Sequence, residues 1–330
     1  TMSGKLTVEQ HLARFIPVEI SADLSQLNSN QLKAIIKLIE ACKLFDQLYI
    51  RQVWSGNEEM YRNLLEKSKN NEEDGLLLQL FYISRGPWDR FTASEPFVSG
   101  VEERPKNANF YPKDMTKIEF EQWIETLSKD DRYQATGFYH IIQRNAKTNK
   151  LECIPYSEAY QDLLTPISRL LEEAADLIDE KSLKKFLKLR ARSFQTNDYI
   201  ESEVAWLNIE PNCPIEVTCG PYETYTDELF SYKAAFGMHV HIRDQPYTEK
   251  LNFFTESLSI IESHLPVPDE YRNKELKSVP IVVVNEIFNG GDAPLPMTVA
   301  YNLPNDEQII KQFGSKLTIM KNIQEGKYVT

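Results

Sequence analysis

Positive charge is in short supply in this chain: 37 Lys and Arg stand against 49 Asp and Glu, a formal net charge of −12 at pH 7. Nucleic-acid phosphate and anionic membrane surfaces repel such a chain at long range, which disfavours both as partners and leaves a cationic or neutral peptide compatible. Cysteine is scarce as well. Cys42, Cys153, Cys213 and Cys219 show no paired metal spacing and are too few in 330 residues to read as a disulfide framework, so they fit a reducing compartment. No apolar run approaches the roughly 20 residues that a membrane span needs, and no basic segment leading into an apolar stretch opens the chain. The expected location is therefore the cytoplasm. Internal repeats and low-complexity linkers are also missing.

The 42% hydrophobic content supports a sizeable core, and the length suggests about two domains. Leu32, Ile35, Ile39, Cys42, Phe45, Tyr49 and Val53 recur at three- and four-residue spacing, which predicts a long amphipathic helix with Ser29 as its cap. Residues 58–78 extend a helical N-terminal third, 1–135. Gly86 to Phe91 and Asn107 to Met115 read as irregular, ring-packed loop. From 136 onward the period shortens. Residues 138–144 and 151–156 predict a β-hairpin, Ser157 caps a helix bent at Pro166, and Ser182 starts another. Strands are expected at 215–219, 238–242, 279–284, 298–301 and 317–320, with a helix through Leu251, Phe254, Leu258 and Ile261 closed by Pro266 and Pro268. Strands and helices interleave without a βαβ rhythm, so the fold class is α+β, with a small β-barrel or strongly twisted sheet in 136–330.

Several constellations tempt a chemical reading. His239 and His241, two apart on a strand, share a face, but no third His or Cys lies near in sequence, so the pair is read as no metal site. Gly290-Gly291-Asp292 follows a strand and leads into no Lys-Ser/Thr helix start, which makes it a turn and no phosphate cradle. Glu172-Glu-Ala-Ala-Asp176 reads as a solvated helix face. His11, His140 and His264 stand apart from any suggestively spaced Ser or Cys.

What carries function is a series of short motifs in order: Gly86-Pro-Trp-Asp-Arg-Phe, Ala108-Asn-Phe-Tyr-Pro-Lys-Asp-Met, Leu189-Arg-Ala-Arg-Ser-Phe, Asp198-Tyr-Ile-Glu-Ser-Glu-Val-Ala-Trp, Glu223-Thr-Tyr through Ala235, and Asn302-Leu-Pro-Asn305. Over some two hundred residues this series resembles the bacterial branch of the dipeptidyl-peptidase III zinc metallopeptidases. The resemblance implies that Tyr225 stabilises an oxyanion, that Glu223 and Asp227 help to place substrate, and that Asn302 and Asn305 hold the peptide near its N-terminus. It implies further that the stretch Met297 to Tyr301 receives the peptide as an added strand. A phenol can donate to a developing oxyanion without bringing charge, and an amide offers donor and acceptor together, matching a peptide backbone.

Two departures stand out. The family places its zinc on His-Glu-x-x-Gly-His, with a second helix carrying Glu-Glu-x-x-Ala-Glu/Asp; no His-Glu pair occurs in these 330 residues. The resemblance therefore implies no metal in this chain and a zinc held by a downstream lobe. The family also supplies a carboxylate for the substrate's free amine where this chain has Phe236 and Gly237. A Nudix pattern, Gly-x5-Glu-x7-Arg-Glu-x-x-Glu-Glu, is absent too, although some members carry that domain. Gly326 to Thr330 follows a strand with no closing helix, which is the pattern of a truncated lobe. The expected function is the peptide-binding part of a dipeptidyl peptidase, inactive without its metal lobe. A non-catalytic peptide-binding protein is the alternative, and an unrelated hydrolase the third reading. The expected partners are a peptide and a missing lobe or another chain. The absence of such a lobe would leave apolar surface uncovered on the helix around 251–265 and on the C-terminal strand region.

Overall fold

Apolar spacing does build the long helix, and the computed structural model describes residues 6–329 apart from 93, 274–278, 294 and 296. After α1 (Val8–Leu12), α2 (Ser29–Val53) buries Ile35, Leu38, Cys42, Phe45 and Tyr49, while Leu32 stays exposed. Its cap is Asn28 and not Ser29. The Asn28 side chain accepts from the Gln31 N–H, and the Gln31 amide accepts from the Asn28 N–H in return. Three residues after Ser29 stands Leu32, which cannot reciprocate.

Helices α3 (Asn57–Lys67), α4 (Glu72–Ser84), α5 (Lys117–Glu125) and α6 (Lys129–Thr136) complete the helical N-terminal third. Between α4 and α5 the rings of the irregular stretch pack on neighbouring elements, with Trp88 buried edge-on against Trp54 and Phe110 stacked on Tyr156. The hairpin forms as β1 (His140–Arg144) and β2 (Leu151–Pro155). Pro155 then occupies the cap position of α7 (Tyr156–Ala159), which displaces Ser157 into the helix; Pro lacks an N–H and fits a helix start. Pro166 lies inside α8 (Gln161–Leu177), and α9 (Lys181–Thr196) begins one residue before Ser182.

After α10 (Ile200–Leu207) come β3 (Ile215–Glu223), β4 (Ala235–Arg243), α11 (Gln245–Ser263), β5 (Ile281–Gly291), β6 (Ala300–Leu303), α12 (Glu307–Phe313), β7 (Lys316–Met320) and α13 (Lys321–Val329). The five strands order as β3-β4-β5-β7-β6, antiparallel except for β5 beside β7. The strands run beyond the predicted ranges: β3 continues to Glu223, β4 begins at Ala235, β5 starts at Ile281 and runs on through Gly290 and Gly291, and β6 lies two residues later than expected. Laid flat, the edge strands of such a sheet would stand about 19 Å apart. Instead Thr218 Oγ1 on β3 and Tyr301 OH on β6 are 2.8 Å apart, so the sheet is open but strongly curled. The class is α+β.

Helix α2 lies against the outside of this curl, and one buried cluster runs from α2, α8 and α9 into β3 and β4, with Phe45, Phe194 and Phe236 in mutual contact. Gly290 allows the approach: a Cβ there would sit 2.1 Å from the Cys42 carbonyl oxygen. The C-terminal stretch corrects its expectation, since residues 321–329 form α13. Asn322 fastens that helix, accepting from the Glu286 N–H at 2.8 Å and donating to the Glu286 carbonyl at 2.9 Å. Thr330 lies outside the described residues. No described helix is long and apolar enough to cross a membrane.

Candidate functional site

The strongest concentration of convergent polar groups is a cleft of about 450 Å³ lined by Arg90, Arg104, Glu223, Tyr225, Thr226, Asp292, Thr298, Ala300, Tyr301, Asn302 and Asn305. Cavities of about 520 and 620 Å³ lie elsewhere, and none of these residues lines them. Chemistry, and not size, therefore selects the cleft.

Strand β6 forms one wall. It ends at Leu303, just before Pro304, and among the described residues it pairs only with β7, so its other backbone edge is free. Asn302 is exposed on that strand, and Asn305 just beyond it donates from Nδ2 to the Tyr222 carbonyl at 2.9 Å. Tyr301 turns inward. Its hydroxyl shares a hydrogen with Thr218, and its ring lies 5.6 Å from that of His239. Burial pushes the Tyr301 phenol far above its ordinary value, so it stays neutral.

The opposite wall comes from the end of β3. A register shift between Pro221 and Glu223 re-aims the strand there. Beyond it Tyr225 is 81% exposed at the rim, its hydroxyl reachable by a ligand. Glu223 lies half-buried in the cleft. Burial raises its carboxyl pKa, the charge of Asp292 raises it further, and a hydrogen bond from Asn305 works against both. Asp292 is also raised by burial, against the opposing pull of Tyr49, Arg90 and Arg104. Two carboxylates thus share one poorly solvated end of the cleft, where an incoming cation would be favoured.

Asp292 was hidden in the sequence as part of a turn. Its backbone N–H donates to the Phe236 carbonyl at 2.8 Å, directly after the Gly237 and Gly291 pair of β4 and β5. A Cβ built on Gly237 would lie 3.7 Å from Asp292 backbone atoms. The aspartate therefore stands beside the position where the sequence lacks a carboxylate. Only the pairing of β4 with β5 reveals this, because 54 residues of chain lie between Gly237 and Asp292.

The structure places Asp227 differently from the expectation. It is fully buried outside the cleft lining and accepts from the N–H groups of Leu229, Phe230, Tyr232 and Lys233 and from the Tyr111 hydroxyl. Five donors occupy its oxygens, so it organises the 227–233 loop. His239 and His241 do share one face of β4, and β5 brings Glu286 to them, a neighbour that sequence spacing could not show. Glu173 and Asp176 pair with Lys37 and Lys188 at the surface.

Comparison with known proteins accords with this geometry. The sequence pattern of peptidase family M49 matches residues 101–329. The structure of DPP III from Caldithrix abyssi is similar with a TM-score of 0.92 and 40% identity, covering 97% of this chain and 60% of that one. Dipeptidyl-peptidase III from Corallococcus sp. strain EGB gives 0.89 and 38%, over 97% and 59% of the two chains. A curated relative, "Nudix hydrolase 3" of Arabidopsis thaliana, is 34% identical over 99% of this chain and 48% of its own length. The chain thus spans about half to three fifths of the proteins it matches. By sequence pattern and by structure, this chain belongs to peptidase family M49.

Proposed function

We propose that this chain forms the peptide-binding face of a dipeptidyl-peptidase III type enzyme. The single observation that carries the reading is the free edge of β6 facing a cleft whose other wall bears Glu223 and Tyr225. An extended peptide adds to such an edge through main-chain hydrogen bonds. Asn302 and Asn305 then hold its first residues, and Glu223 with Asp292 receives the free amine in place of the carboxylate missing at Phe236 and Gly237. Tyr225 is the neutral donor for an oxyanion at the scissile carbonyl. Asp227 keeps the loop that carries Tyr225 in shape and does not touch the peptide.

The zinc that the family uses does not fit the residues of this chain, because the His-Glu pair of its metal helix is not among them. Hydrolysis through that ion is therefore not assigned to this chain, which by itself is expected to bind peptides without cleaving them. On this reading 1–135 and 136–330 belong to one lobe of a two-lobed peptidase. Support for a second lobe comes from α11, where Phe253 is 68% and Ile260 62% exposed on a helix with no fully buried residue among its described side chains.

Amide hydrogen exchange tests the strand-addition step. A short unblocked pentapeptide in excess should slow exchange at residues 300–303 and leave β1 and β2 unchanged. Unchanged exchange at 300–303 under saturating peptide would remove the basis of the proposal.

A further inference from the structure

Beneath the cleft lies a second group of ligating side chains that the peptide-binding reading leaves unused. Glu286 on β5 is paired in register with His241 on β4, where a shift after Val240 breaks the regular ladder. Glu286 Oε1 is 3.1 Å from His239 Nδ1, and Oε2 is 3.6 Å from His241 Nε2. One ligand atom from each of the three lies within 4.8 Å of the others. The two imidazoles stack nearly parallel, 10° apart with centroids at 5.6 Å.

Burial makes this arrangement unusual. His241 and Glu286 are 0% and 1% exposed, yet both ring nitrogens of His241 and Oε2 of Glu286 have no hydrogen-bond partner. Buried polar atoms are almost always paired, so an orphaned imidazole facing an orphaned carboxylate oxygen calls for a partner that both can share. Two imidazole nitrogens and a carboxylate oxygen are ligand types that one metal ion can hold together.

We propose that His239, His241 and Glu286 bind one divalent transition-metal ion of the zinc class. Two nitrogens and one carboxylate oxygen suit that class, and ligand atoms around tetrahedral zinc stand about 3.3 Å apart, close to two of the separations present. Hard ions such as magnesium and calcium prefer all-oxygen shells and are excluded. His239 lines a cavity of about 50 Å³ shared with Thr218, Tyr222, Glu223, Asp292 and Tyr301, several of which also line the cleft. That cavity gives the ion a way in and has room for a water as its fourth ligand. The ligands come from two adjacent strands at i, i+2 and cross-strand positions, so this centre is distinct from a zinc helix. Bound there, the ion ties β4 to β5 under the cleft floor.

The test is metal binding to the purified, tag-free 330-residue chain by zinc calorimetry, with cobalt absorption as a second readout. One zinc per chain is expected at micromolar affinity or better, with a rise in Tm on saturation and no response to magnesium. His239→Ala and Glu286→Gln should each weaken zinc at least tenfold, while His264→Ala, at an exposed site, should bind as the parent does. If circular dichroism shows either variant unfolded, His239→Gln replaces it. No stoichiometric zinc on the folded parent chain, or binding undiminished in the folded variants, would overturn the proposal.

Discussion

At the scale of single residues, Asp227 and Asp292 exchange the parts that their sequence contexts suggest. Asp227 sits four residues after Glu223 in the segment most like the family, yet its oxygens are consumed by four backbone N–H groups and the Tyr111 hydroxyl. Asp292 looks like turn punctuation, yet it lines the cleft beside Glu223. Removing Asp227 orphans several buried donors at once, so Asp227→Ala is expected to cost at least about 3 kcal/mol of stability. Urea unfolding should show this as a lower midpoint. A variant with parental stability and lost peptide affinity would return Asp227 to the binding site.

At the scale of elements, the helix and strand positions were largely legible because burial of one face imposes a period, as in α2 and in the β1–β2 hairpin. Ends were less so. The Asn28 cap depended on a reciprocal bond with Gln31, and α13 was hidden by an expectation of truncation. Cross-strand neighbours were not legible at all, since nothing along the chain announces that Glu286 faces His241 or that Asp292 follows the Gly237 and Gly291 pair. The glycine at 290 belongs to the same class of hidden constraint. Its Cα faces the Cys42 carbonyl on α2, and a methyl group at 2.1 Å would push the helix off the sheet. Gly290→Ala should therefore destabilise the chain by about 1–3 kcal/mol. Thermal unfolding checks this, and an unchanged Tm would mean that α2 does not rest on β5 as described.

At the scale of the whole molecule, the fold leaves an apolar face on α11 and an open backbone edge on β6. The exposed Phe253, Phe254, Ile260 and Ile261 make a face that water tolerates poorly. Light scattering should show concentration-dependent association of the chain, and Phe253→Ser with Ile260→Ser should abolish it. A monomer at high concentration would favour the short, non-catalytic peptide-binding reading. The cleft supplies the most direct test of the account, because its claim is recognition of a free N-terminus by Glu223 and Asp292 along an open strand edge. Both carboxyls are raised above their ordinary values, so amine binding, which needs them ionised, should fade as pH drops through that raised range. The decisive measurement is a calorimetric titration at pH 7 of one pentapeptide with a free and with an acetylated N-terminus. The free peptide is expected to bind at least about tenfold more tightly, the equivalent of one charge-assisted hydrogen bond, and Asp292→Asn to narrow that gap. Equal affinity for the two peptides, or no binding of either, would contradict the account.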